Sequence, residues 1–245
     1  MILSEIKKIQ IPSGVIVKIT DSKGILWGQK QEQPSIIPNE YQQVEYLATD
    51  GSQIIDTGVI PSEYADGIHY ILDFKQNWTS SLNSNDYVWG SISGTSRSGN
   101  LYYNRGAGNA RVICGTSSSG ITYNWYDLSK RCLVKVFATS ENANATSLEY
   151  EKDGVTVIPT INSSTFANAT MPSESIYLFN CRAISRQGTP IVCYGFAMKG
   201  MNGKEIRNFV PCYRKSDNVI GLYDTVTQTF FTNIGTGAFT KGADV

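Results

Sequence analysis

Histidine occurs once in this chain, at His69. One imidazole cannot build a multi-histidine metal cage, and any general-base step resting on histidine would rest on this residue alone. It lies in Gly67-Ile-His-Tyr-Ile-Leu-Asp-Phe74, an alternating run that predicts a strand with Ile68, Tyr70 and Leu72 on one face and His69 on the other. An excess of positive charge is also missing. Lysine plus arginine is 21 and aspartate plus glutamate is 21, so counterion release from phosphates offers no drive and nucleic-acid binding is not expected. No apolar run approaches the roughly 18 residues needed to cross a bilayer as a helix, so no membrane insertion is expected. Met1 to Ile11 carries Lys7 and Lys8 inside it, not ahead of an apolar core, and no small-residue cleavage site follows, so a Sec signal peptide is not expected either. The cysteines, Cys114, Cys132, Cys181, Cys193 and Cys212, are odd in number and contain no C-x-x-C pair. They are expected to be reduced and mostly buried small hydrophobes. Sequons begin at Asn77, Asn144, Asn162 and Asn168 and fit Asn- and Thr-rich loops without implying glycosylation.

What the 245 residues do contain is 41% hydrophobic and 11% aromatic side chains with only 17% charged. That is too apolar for disorder, and the length suits one large sandwich or barrel with a small appendage. Residues 1–28 predict a short β-hairpin unit. Its strands are Ser4 to Ile11, Val15 to Ile19 and Ile25 to Trp27, separated by turn residues Pro12-Ser13-Gly14 and Asp21 to Gly24. Ile6, Ile9, Val17, Ile19 and Trp27 are among its apolar groups, more than so short a segment can bury alone, which marks it as an anchor expected to dock on another copy or another protein, with docking on the same chain's larger domain as the competing reading. Residues 29–40 are polar and proline-bearing and predict a linker. Residues 41–245 then repeat short β-rich runs between Gly, Asn, Asp and Ser clusters. Val44 to Leu47, Gln53 to Thr57, His69 to Phe74, Tyr87 to Ser91, Leu133 to Ala138, Val192 to Met198, Glu205 to Tyr213 and Thr229 to Thr232 are examples. Asp153-Gly154 between two alternating runs is the clearest hairpin signal, because Asp-Gly accepts the positive φ angles of a type I′ turn. No stretch is amphipathic at 3.6-residue spacing over three turns. An all-β, antiparallel sandwich or barrel follows.

Candidate chemistry is sparse. Ile54-Ile-Asp-Thr-Gly58 has the form of one half of an aspartic protease site, but a single copy would need a homodimer, and a strand end with a polar turn accounts for it as well. Glu149, Glu151 and Asp153 alternate and would share one strand face about 6.6 Å apart per step, a spacing glycoside hydrolysis can use and a solvated hairpin face also produces. Gly94 to Gly99, Gly106-Ala-Gly108 and Gly235-Thr-Gly237 lack the Lys-Ser or Lys-Thr of a phosphate loop and predict turns. Asn83, Asn85 and Asp86 could give Ca2+ a few oxygens, at a spacing that matches no calcium loop, so no cofactor is expected. Trp78, Trp89, Tyr102, Tyr103, Trp125 and Tyr126 stand in or beside the Asn- and Ser-rich centre, where exposed aromatics would suit the apolar face of a pyranose; burial in the core is the competing reading, above all for Trp89 and Tyr103.

Tyr41-Gln-Gln-Val-Glu-Tyr-Leu, Gly51-Ser-Gln-Ile-Ile-Asp-Thr-Gly58, Phe209-Val-Pro-Cys-Tyr-Arg-Lys-Ser-Asp217, Ile220-Gly-Leu-Tyr-Asp224 and Phe230-Phe-Thr-Asn-Ile-Gly-Thr-Gly-Ala-Phe239 form a recognisable set. Together they resemble the LamG-like, concanavalin A-like jelly-roll domains of bacteriophage virion proteins and gut bacterial surface proteins. Ile19-Thr-Asp-Ser-Lys-Gly-Ile-Leu-Trp27 is similar to the short β segment that opens many phage tail and fibre proteins. The resemblance implies a jelly-roll β-sandwich in a structural, non-enzymatic virion protein, made in the host cytoplasm and carried on a tail fibre, head fibre or capsid surface. It further implies homo-oligomers, contacts to other virion proteins through the N-terminal segment, and binding of host-surface glycans. A bacterial surface carbohydrate-binding module is the alternative, with a glycosidase using Glu149 and Glu151 behind it. The centre, residues 77–168, departs from the family pattern, and no catalytic or metal residue is implied at the family-like ends.

Overall fold

The β-branched run Val15-Ile16-Val17 lies in the middle strand of a three-stranded antiparallel sheet made by β1 (Glu5–Ile11), β2 (Gly14–Asp21) and β3 (Gly24–Gln31). The computed structural model describes residues 5–11, 14–21, 24–31, 36–64, 66–77, 86–104, 109–113, 121–124, 131–138, 147–152, 155–157, 171–181 and 188–245. Ile6 pairs with Ile19, Ile19 with Trp27, Ile9 with Ile16 and Lys8 with Val17, so Ile6, Ile19 and Trp27 occupy one row across the three strands. The third strand was expected to stop at Trp27, with a linker from residue 29. It continues instead through Gln31, because Val15, Ile16 and Val17 find ladder partners in Gln31, Lys30 and Gln29. A backbone ladder does not require apolar side chains, and composition therefore placed the strand end too early. Contact density separates Met1–Asn39 from a second unit, Glu40–Asp244.

The second unit opens with β4 (Tyr41–Gln43), β5 (Leu47–Ala48) and β6 (Ile55–Asp56), then a turn of 3-10 helix at Pro61–Glu63, the one helical element among the described residues. β7 (Ile68–Gln76), β8 (Asp86–Gly90), β9 (Ile92–Ser93), β10 (Ser96–Arg97), β11 (Asn100–Asn104) and β12 (Asn109–Ile113) follow. Next come β13 (Ile121–Asn124), β14 (Cys132–Ala138), β15 (Ser147–Lys152), β16 (Val155–Val157) and β17 (Tyr177–Leu178). The chain closes with β18 (Ile191–Gly200), β19 (Glu205–Arg214), β20 (Ile220–Asp224), β21 (Thr229–Thr232) and β22 (Thr240–Lys241). One sheet has six strands in the order β13-β12-β11-β8-β17-β6. The other has eleven, running β16-β15-β14-β7-β18-β19-β20-β21, with β5 also on β18, β22 on β5 and β4 on β19. Every strand pair in both sheets is antiparallel. Lys152 pairs with Val155 across the connection expected to be a hairpin; Asp153-Gly154 themselves lie outside the described residues.

Alternation in β7 explains how the sheets meet. Ile68, Tyr70, Leu72 and Phe74 are buried while His69, Ile71 and Asp73 are half-buried on the other face. The buried set packs against side chains of the six-stranded sheet, and together they make one core. Trp89 of β8 stacks on Tyr70 at 5.7 Å between ring centroids and lies 5.6 Å from Phe196 of β18; Phe196 reaches Phe209 of β19 at 6.4 Å. Two antiparallel sheets sharing one buried interior are a β-sandwich. Each large apolar side chain fully buried there contributes about 1.5–3 kcal/mol. Two of the aromatic side chains inside have their polar atoms matched: the Trp89 Nε1–H donates to the Gly99 carbonyl at 3.0 Å, and the Tyr70 hydroxyl is 2.8 Å from Ser98 Oγ.

The two ends of this unit are neighbours. β22 lies on β5, Glu45 donates its N–H to the Ala243 carbonyl, and Ile54 donates to Asn233 Oδ1 at 2.8 Å. Nearby, the backbone at Gly188 passes so close to two other backbone segments that a Cβ there would sit 1.7 Å from the Phe179 carbonyl oxygen and 2.9 Å from that of Gly51. Only glycine fits such a crossing. Phe179 itself is held at φ 67° while its ring is buried against Phe239.

Candidate functional site

Trp89 is fully buried, so it has no ring face to offer a sugar and belongs to the core. The local Asn- and Ser-rich context suggested a loop edge; pairing of β8 with both β11 and β17 places the residue in the middle of a sheet. Tyr102 and Tyr103 lie on β11, opposite Arg111 and Ala110 of β12 and opposite Tyr87 and Asp86 of β8. Trp78, Trp125 and Tyr126 lie outside the described residues. The anchor residues Ile6, Ile9, Val17, Ile19 and Trp27 are distributed over β1, β2 and β3 in the register given above.

The Asp-Thr-Gly sequence closes a turn. Asp56 Oδ1 accepts the N–H of Gly58 at 2.9 Å, and Thr57 Oγ1 donates to the Ile176 carbonyl at 2.8 Å while accepting from the N–H of Val59. Asp56 faces Tyr177 across the β6–β17 ladder, where burial first and this carboxylate second push the Tyr177 phenol above its ordinary value. Glu149 and Glu151 occupy alternate positions of β15, opposite Lys135 and Leu133 of β14. His69 stacks on Phe137 at 3.8 Å, and its Nε2 is buried without a hydrogen-bond partner. Desolvation under Phe137, then the ammonium groups of Lys135 and Lys199, lower its pKa to about 4, so it is neutral at physiological pH. Among the described residues no three His, Cys, Asp or Glu side chains come together as a metal cage. Asn83 and Asn85 lie outside those residues, and Asp86 is buried at the start of β8. Cys132, Cys181, Cys193 and Cys212 are free thiols, and burial raises Cys193 and Cys212 to about 12.

A different group of side chains converges on the outward face of the eleven-stranded sheet, and β-sheet geometry brings it together. β18 carries a bulge: Cys193 pairs with Phe74 and Gly195 with Asp73, so Tyr194 is an extra residue with no partner on β7. Its ring lies under the Arg131 guanidinium, with Cζ 4.0 Å from the ring centroid, and meets the Tyr46 ring edge-on at 5.7 Å. Arg131 precedes β14 and is clamped by Asp73 of β7 through Nε–Oδ1 at 2.8 Å and Nη2–Oδ2 at 2.6 Å. That two-point hydrogen bond holds the guanidinium charged, and its side chain is 56% exposed. Burial raises the Tyr194 phenol against the opposing pull of Arg131, so both groups are in their ordinary protonation states near neutral pH. Sequence reasoning missed this cluster, because its members are scattered over four segments; the local signal was an apolar strand, Ile191-Val-Cys-Tyr-Gly-Phe196, with one residue too many for strict alternation.

Elsewhere, a cleft of 220 Å³ opens between the loop around Glu63 and Asp66 and the β18–β19 connection at Met201 and Lys204. Its charged groups are solvent-exposed.

No family model matches this sequence, and no curated protein matches it significantly.

Proposed function

We propose that the chain is a non-catalytic structural component of a bacteriophage particle, in which the Glu40–Asp244 sandwich is a jelly roll displayed outward and the N-terminal unit is the attachment segment. The observation that carries this reading is the pairing of a small separate three-stranded unit with a large β-sandwich. The motif set at Tyr41–Gly58 and Phe209–Phe239, whose segments are hydrogen-bonded neighbours in the sandwich, supports it. Three strands of seven or eight residues have too little area to bury a core of their own, which favours docking on another chain. Rigid sheets carrying variable loops are the usual platform for recognition, which suits display. The test is mass spectrometry of gradient-purified particles from an induced host. The protein is expected at a stoichiometry of many copies per particle; recovery only in bacterial envelope fractions would replace this reading with a surface carbohydrate-binding module.

A further inference from the structure

We infer that Asn202, at the tip of the β18–β19 hairpin, is a site of self-catalysed deamidation through a cyclic imide, which turns its amide into a carboxylate lining the cleft of Glu63 and Asp66. The inference goes beyond the display role and does not depend on it. Asn202-Gly203 is the one Asn-Gly pair in the sequence. Imide closure needs the backbone nitrogen of the next residue to reach the asparagine Cγ, and only glycine leaves that nitrogen without a neighbouring side chain. Three observations support the site. First, the turn is open. Gly200 donates its N–H to the Lys204 carbonyl at 2.8 Å and Gly203 donates to the Gly200 carbonyl at 2.9 Å, so Met201, Asn202 and Gly203 form the tip, all exposed. Gly203 has φ 81°, and a Cβ built there would meet nothing within 4 Å. Second, the Asn202 side chain bends back over the Gly203 peptide, its Oδ1 accepting the Lys204 N–H at 2.9 Å. That hydrogen bond strengthens as negative charge gathers on Oδ1 during attack at Cγ. Third, other asparagines lack these conditions. Asn100 and Asn180 are buried, and Asn208, Asn218 and Asn233 precede Phe209, Val219 and Ile234, whose side chains crowd the nitrogen.

The reaction needs only water and a solvent base. The base removes the Gly203 amide proton, and the nitrogen forms a bond to Asn202 Cγ while the Cγ–Nδ2 bond breaks; Nδ2 takes up a proton and leaves as ammonia. Water then opens the ring. Cleavage between the nitrogen and Cγ gives aspartate, and cleavage between the nitrogen and the Asn202 main-chain carbonyl carbon gives isoaspartate, with no change of oxidation state. Either product adds a carboxylate to a cleft whose charged residues are Glu63, Asp66 and Lys204. Isoaspartate also inserts a methylene into the backbone of the tip. The β18–β19 register from Phe196–Phe209 to Lys199–Glu205 lies outside the tip, so the change stays local.

The full-length protein should be held for days at mildly alkaline pH, folded and in parallel in urea, then digested and mapped by mass spectrometry with fragmentation that separates isoaspartate from aspartate. The folded chain is expected to lose ammonia at Asn202 before any other asparagine, with isoaspartate in excess, and faster as pH rises. Its rate should lie within about tenfold of the unfolded chain's, because an exposed tip opens at little free-energy cost. Gly203→Ala should slow the reaction about tenfold or more, since a Cβ shields the nitrogen and disfavours the positive φ. Asn202→Gln, which leaves the glycine in place, should abolish it and serves if Gly203→Ala disturbs folding by circular dichroism. A folded chain left unmodified over a period that converts the urea sample would overturn the site, by showing that the turn locks Asn202. Earlier conversion at another asparagine of the folded chain, or ammonia loss undiminished in Asn202→Gln, would overturn it as well.

Discussion

Asp224 is a carboxylate with no solvent exposure, and the motif Ile220-Gly-Leu-Tyr-Asp224 ends on it for a structural reason. Oδ1 accepts the N–H groups of Asn208 and Val226; Oδ2 accepts the N–H and hydroxyl of Thr227 and lies 3.5 Å from Arg207 Nε. Arg207 in turn donates to the Thr57 carbonyl, tying the β20–β21 turn to the Asp-Thr-Gly turn. Asp224→Ala would strip these donors and leave Arg207 without its carboxylate, at a cost of about 3–5 kcal/mol. Urea unfolding should show that loss with an unchanged m-value; a loss under about 1 kcal/mol would mean that water replaces the carboxylate freely. His69 gives the second residue-scale prediction. Its folded pKa of about 4 lies below the unfolded 6.5, so between those values the unfolded chain binds a proton that the folded chain does not. Stability therefore falls as pH drops from 6.5 to 4. With the ring half-buried, solvent screening reduces the effect to about 1–2 kcal/mol. Because His69 is the chain's one histidine, His69→Gln should flatten stability measured by denaturant across this window. An equally steep decline in the variant would assign the effect to other groups.

At the scale of elements, legibility followed locality. β7 was evident because its alternation is strict, and the Lys152–Val155 pairing was evident because Asp-Gly marks it. β6 and β17 have two residues each and exist because partners distant in sequence supply their ladder, so the run Gln53 to Thr57 overstates β6. β13 was missed although Ile121-Thr-Tyr is β-prone, its length being too short to stand out from the surrounding polar run. The Arg131–Tyr194 cluster was invisible because a bulge is a relation between two strands, not a property of one. That relation yields a prediction. Deleting Tyr194 leaves Cys193 opposite Phe74 and Gly195 opposite Asp73, a regular ladder, so thermal stability should stay within about 1 kcal/mol of wild type. Deleting Ala197 instead would turn Met198, now buried, to the outward face and should prevent folding. If both deletions were equally damaging, the bulge would be part of the fold's foundation and not an addition to it.

At the scale of the whole molecule, the account assigns two jobs to two units: attachment to residues 1–39 and display to Glu40–Asp244. The sandwich has a core built from side chains of both its sheets. Removal of residues 1–30 should accordingly leave a folded, monomeric sandwich by analytical ultracentrifugation, with the wild type in a higher assembly state. The most direct test combines that truncation with the particle. Wild-type and truncated protein, each tagged at the C-terminus, would be expressed during phage production, and the particles banded on a density gradient. The account predicts that the full chain bands with intact particles while the truncated sandwich stays at the top of the gradient, folded. Truncated protein banding with particles as fully as wild type would contradict it, and the attachment role would pass to the sandwich itself.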